Sequence, residues 1–90
     1  MTLERRITIV NKLGLHARAA SKFVNVTNRY TSRIDVGNAG KVVNGKSIMS
    51  IMLLAATQGT ELVLHVDGED EEEAMQAVVR LIEEKFGESE

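Results

Sequence analysis

The sequence predicts an α+β domain in which helices cover one face of an antiparallel sheet, with elements in the order β-α-β-β-α-β-α. Three observations point there. Runs rich in Ile, Val, Thr and Leu recur at residues 4–10, 32–36 and 61–67, as half-buried strands require. Stretches with apolar residues at three- and four-residue steps fall between and after them. The run 32–36 is followed by Gly37-Asn38-Ala39-Gly40 and a short run 41–43, which fits the return strand of a hairpin. Ninety residues with 43% hydrophobic content suit one small core, so residues 1–90 read as a single domain.

Residues 4–10 form the first expected strand. A loop over residues 11–15 follows, in which Gly14 relieves backbone strain just ahead of His16. From residue 17 to about residue 30, Ala20, Phe23, Val24, Thr27 and Tyr30 mark the buried stripe of a helix that begins at the histidine. In residues 32–36, Ile34 and Val36 alternate with Arg33 and Asp35. Asn44-Gly45 ends the hairpin, and residues 47 to about 55 are too apolar for a surface loop, so they read as a short helix. A turn at Gln58-Gly59 leads into the strand 61–67, where Leu62, Leu64 and Val66 take one face and Val63 and His65 the other. Residues 70–86 are the last expected helix, with Ala74, Ala77, Val78, Leu81 and Ile82 as its stripe and Asp70 with Glu73 as a capping pair.

Composition narrows the function. With no cysteine there is no disulfide framework and no thiol chemistry, which is compatible with a reducing cytoplasm. The first residues lack a long apolar stretch and no run approaches a membrane span, so the expectation is a soluble, cytoplasmic protein. Charge is unevenly placed. Residues 1–60 carry nine Lys/Arg against two acidic residues, a net of +7, and residues 61–90 carry two against eleven, a net of −9. A net charge of −2 with one Tyr and two Phe gives little support for a nucleic-acid surface. The acidic run 67–73 lacks the loop spacing of a calcium site and complements a helix start, so no metal and no cofactor are expected.

The stretch Gly14-Leu15-His16-Ala17-Arg18-Ala19-Ala20 carries the chemistry. A histidine where a loop becomes a helix lies beside backbone N–H groups without intrahelical partners, which favour a bound anion. The electropositive helix end also favours the neutral, nucleophilic ring, and Arg18 offers a forked donor to phosphate oxygens. His16 is thus a candidate phosphoryl acceptor. His65, in mid-strand, reads as an ordinary solvated histidine.

A second informative stretch is Asn44-Gly45-Lys46-Ser47-Ile48-Met49-Ser50 with the apolar residues after it. A short helix presses only one side onto a small sheet, so some of Ile48, Met49, Ile51, Met52, Leu53 and Leu54 must face water or a partner. Ser47 reads as the N-cap and, additionally, as a phosphorylation site, since a phosphate there suits the helix start but obstructs an acidic partner.

These two motifs and the element order, over essentially all 90 residues, resemble the histidine-containing phosphocarrier family HPr and its nitrogen-branch paralogue NPr of the bacterial phosphoenolpyruvate-dependent phosphotransferase system. The resemblance implies an open-faced β-sandwich with strand order one, four, two, three and three helices on one side. It implies that His16 accepts a phosphoryl group through Nδ1 from phospho-Enzyme I and passes it to A-type acceptor domains, with Arg18 balancing the phosphate charge. Ser47 would match the serine modified by an HPr serine kinase/phosphorylase, and Ile48, Met49 and Met52 an apolar rim shared by donor and acceptor. Leu15, Ala17 and Ala20 are expected to ring His16 on that surface, and the chain is expected to act as a monomeric carrier rather than an enzyme. Where the family usually has Pro after the motif's Arg, this chain has Ala19, which predicts a slightly looser helix start. Two competing readings remain open on the residues. A small acyl-phosphate hydrolase would depend more on Arg18 than on His16, and a regulatory or scaffolding module would carry no covalent phosphate.

Overall fold

The alternation along residues 61–67 organises the sheet. The computed structural model describes residues 2–90. Among them β1 (Thr2–Thr8), α1 (Ala17–Thr27), β2 (Arg33–Asn38), β3 (Lys41–Asn44), α2 (Ile48–Leu53), β4 (Glu61–Asp67) and α3 (Glu71–Glu83) follow one another, with a short 3₁₀ turn at Lys85–Gly87. The sheet is antiparallel in the order β1-β4-β2-β3. In central β4, Leu62, Leu64 and Val66 are fully buried. Ile7 of β1 lies opposite Leu62, and Ile34 and Val36 of β2 lie opposite Val66 and Leu64. A slip of one residue would turn this row to solvent, so burial of one face pins the register. On the other face, His65 lies between Glu4 and Asp35, with Nδ1 3.5 Å from the Glu4 carboxylate, as a half-buried strand histidine.

The helices close the apolar face. Ala19, Ala20, Phe23 and Val24 of α1, Ile51 of α2, and Ala74, Met75, Val78, Val79 and Ile82 of α3 join the inward strand residues in one core. Gly45 lets the β3–α2 connection lie against β2. A Cβ there would sit 2.8 Å from the Ile34 side chain, while the Gly45 amide donates to the Ile34 carbonyl at 2.7 Å. The Thr27 hydroxyl donates to the Gly45 carbonyl at 2.8 Å, so the end of α1 holds the start of the next connection.

Several boundaries differ from expectation for identifiable reasons. β1 begins earlier, at Thr2, and β2 runs on to Asn38. Ala39 and Gly40 alone make the turn, with φ of 51° and 82°, a mirror-image turn that matches strand twist. α1 stops at Thr27, and Tyr30 packs on the core from the loop. The stripe of α3 is rotated, with Met75 and Val79 buried and Ala77 and Leu81 only half-buried. Asp70 is the N-cap residue of α3, but it does not form the expected pair with Glu73. Its carboxylate accepts from the Thr31 and Ser32 amides, both at 2.9 Å, and from the Ser32 hydroxyl, which fastens α3 to the entrance of β2. α3 does not continue to Phe86. The chain turns at Lys85 and Phe86, with φ of 58° and 56°, and this buries the Phe86 ring to 1% exposure. Left-handed backbone costs about 1–2 kcal/mol per residue, and burying an aromatic ring returns roughly 1.5–3 kcal/mol.

Candidate functional site

The loop 11–15 is built to deliver His16 to the start of α1. The Asn11 side chain is buried and donates to the Gly14 carbonyl at 2.9 Å, and the Leu15 amide donates to the Ala56 carbonyl at 2.9 Å. Gly14 has φ of +66°, and a Cβ on it would lie 2.4 Å from that same Ala56 oxygen. Only glycine combines this turn with so close an approach.

His16 is the N-cap residue of α1 in extended conformation, and its carbonyl accepts from the Ala20 amide at 2.8 Å. Its side chain gives nothing to the helix amides, so the N–H groups of Ala17, Arg18 and Ala19 have no intrahelical partner. The ring is 29% exposed. Arg18 is exposed, and among the described residues its guanidinium forms no hydrogen bond or ion pair. An anion beside His16 would therefore meet uncommitted donors and a free guanidinium. Ala19 is fully buried in a regular first turn, so the chain forms this helix start without the proline usual in the resembling family.

The residues after α3 complete the site, and sequence reasoning missed them. Glu88 reaches back 72 positions, with Oε2 on His16 Nε2 and Oε1 accepting from Asn11 Nδ2 at 3.0 Å. Burial pushes the Glu88 carboxyl up, but the hydrogen bonds from Asn11 and His16 and the charges of His16 and Lys22 outweigh it and hold it below the usual carboxylate range. Lys22 Nζ donates to the Phe86 carbonyl at 2.7 Å, and Lys12 pairs with Glu90 at 3.3 Å. Lys12, Leu13, His16, Arg18 and Glu88 thereby line an open cleft of about 630 Å³. No spacing in the sequence links Glu88 to His16.

Of the residues expected to ring the histidine, Ala17 is exposed, but Leu15 is 5% exposed and Ala20 fully buried. Both belong to the core: Leu15 faces inward because its amide is tied to Ala56, and Ala20 lies on the buried stripe of α1. Leu13, 67% exposed, is the apolar side chain at the cleft instead. At the start of α2, the Ser47 hydroxyl accepts from the Ser50 amide at 3.3 Å, the cap expected from its position. Ile48, Met49, Met52 and Leu53 are exposed, while Ile51 and Leu54 turn inward. This patch lies outside the His16 cleft, on a helix that packs against α1.

A family profile described as "PTS HPr component phosphorylation site" matches residues 3–84. The chain is 58% identical over 85 residues to the phosphocarrier protein HPr of Pseudomonas aeruginosa, covering 93% of this chain and 94% of that one. It is 50% identical to the corresponding protein of Neisseria meningitidis serogroup B, covering 98% and 99%. Among solved structures, HPr-C-His from Thermoanaerobacter tengcongensis superposes with a TM-score of 0.94 at 50% identity, over 98% of this chain and 99% of that one. A structure described as an HPr dimer from the same organism gives a TM-score of 0.78 at 52% identity, over 91% and 94%.

Proposed function

The chain belongs to the HPr family, phosphocarriers of the phosphotransferase system rather than catalysts, and from that premise we propose that His16 is its phosphoryl acceptor. One observation carries the assignment: a partly exposed imidazole at the start of α1, where the first helix amides are uncommitted and Arg18 is unpaired. Phosphoryl transfer needs positioning and charge stabilisation more than covalent chemistry from the protein. Here the ring supplies the nucleophile, the helix start and Arg18 meet the phosphoryl oxygens, and a docked partner completes the in-line geometry.

Enzyme I is the proposed donor and an A-type domain the proposed acceptor, with the apolar side chains of Ile48, Met49 and Met52 as the docking rim beside α1. A transient relay of this kind needs only a modest interface. Ser47 is a proposed regulatory phosphorylation site for an HPr serine kinase/phosphorylase, because its half-exposed hydroxyl adjoins that rim. Among the described residues no helix is long and apolar enough to cross a membrane, and we place the carrier in the cytoplasm as a monomer. Sedimentation as a dimer would overturn the last point.

Incubation with Enzyme I and phosphoenolpyruvate should give one acid-labile phosphate per chain, absent in His16→Ala. Label that survives this substitution, or continuous phosphate release without a protein-bound species, would exclude His16 as the acceptor.

A further inference from the structure

We propose that Glu88 is a positioning residue for phosphoryl acceptance, taking the Nε2–H of His16 so that Nδ1 is presented as the nucleophile. The inference rests on His16 being the acceptor. A neutral imidazole carries one N–H and one lone pair, and the partner of one nitrogen decides which is which. A carboxylate only accepts, so Glu88 Oε2 on Nε2 fixes the proton there and leaves the lone pair on Nδ1, which has no hydrogen-bond partner among the described residues.

The carboxylate is itself held. Its other oxygen takes the Asn11 amide at 3.0 Å, and Asn11 is buried and bonded to Gly14 of the histidine loop. The segment bearing Glu88 is anchored on one side by the buried Phe86 ring and the Lys22 bond to its carbonyl. On the other side the Lys12 amide donates to the Glu90 carbonyl. Two parts of the chain 72 positions apart are thus locked around one ring.

The step balances without an added reactant. The Nδ1 lone pair forms the N–P bond while the donor's bond to phosphorus breaks and its electron pair stays with the donor. Nε2 keeps its proton, the ring becomes cationic, and the Glu88 carboxylate faces that charge. Delivery to an acceptor reverses these changes.

The test uses the full chain, Glu88→Ala and Glu88→Gln, each followed by nitrogen-15 spectra of His16 and by the rate of phosphorylation from Enzyme I and phosphoenolpyruvate. The parent should show a single tautomer protonated on Nε2. In Glu88→Ala the Nδ1-protonated tautomer should appear and the rate fall about tenfold, the lower end of what the hydrogen-bonded partners of metal-binding histidines contribute when they orient the ring in the same way. Glu88→Gln, whose amide oxygen still accepts, should keep the parent tautomer but not the full rate. Unchanged tautomer signals in Glu88→Ala overturn the proposal whatever the rate does, and so does a Gln variant with the Ala variant's tautomers. Loss of label in His16→Ala tests the acceptor assignment separately.

Discussion

The starts of α1 and α2 solve the same problem in opposite ways. At α2 the cap is local: the Ser47 hydroxyl accepts from the Ser50 amide, three residues on, so one of the first helix amides is satisfied from within the turn. At α1 the cap residue turns its side chain away from the helix amides, and its ring is held by Glu88 from the far end of the chain. A helix start capped in this local way contributes stability. One that leaves its amides uncommitted gives up that contribution and gains a place for an anion.

The sharpest way to break this contrast is to release the distant support. Phe86→Ala removes a fully buried ring and should cost about 3–5 kcal/mol in urea denaturation. It should also free the segment beyond α3, so that the His16 spectra come to resemble those of Glu88→Ala. The Ser47 cap should be untouched. Parent-like His16 spectra in Phe86→Ala would show that Lys12 and Asn11 suffice to hold Glu88.

The start of α3 is intermediate, since its cap residue is also turned outward but toward another element. Hydrogen bonds from the Ser32 side chain and the Thr31 and Ser32 amides lower the Asp70 pKa from 3.8 to about 2. A carboxyl depressed in the folded state stabilises the fold fully above its unfolded value and loses that contribution as pH falls toward the folded one. Stability should therefore decline between about pH 4 and about pH 2 by a component that Asp70→Asn lacks. The check is the urea midpoint of both proteins across that window. Parallel curves would mean the three bonds do not discriminate between the charged and neutral acid.

Ser47→Ala has a smaller expected effect, about 1 kcal/mol for loss of an N-cap, with His16 phosphorylated at the parent rate. A comparable loss of rate would show that the two helix starts are coupled, which their separate hydrogen-bond sets do not suggest.

How much of this was legible in the sequence follows the same division. β4 was readable to the residue, because strict alternation under one buried face leaves a single register. The Ser47 cap was readable because cap and helix lie within a few positions, and the pattern showed that some side chains of α2 must face outward; that Ile48, Met49 and Met52 are among them came from the family resemblance, which left out the likewise exposed Leu53. The placement of the histidine at a helix start was readable from its neighbours, down to the need for Gly14. The end of α3 was not, since helical periodicity continues to Phe86 while the gain from burying that ring is tertiary. Leu15 and Ala20 were misplaced on the surface because proximity to His16 in sequence says nothing about which way a side chain faces. Glu88 was invisible for the complementary reason: it is distant in sequence and adjacent in space.

The least perturbing test concerns the apolar rim. Met49 is 76% exposed, so Met49→Ser removes no core contact and should shift stability by no more than about 0.5 kcal/mol. An exposed thioether earns its place only if something covers it, and a flexible, polarizable side chain suits successive partners of different shape. The expected outcome is unchanged denaturation, unchanged His16 tautomer, and a higher concentration of carrier needed to half-saturate transfer from Enzyme I. If half-saturation is unaffected, the partner docks on the His16 cleft alone, with Leu13 rather than the α2 patch as its apolar contact.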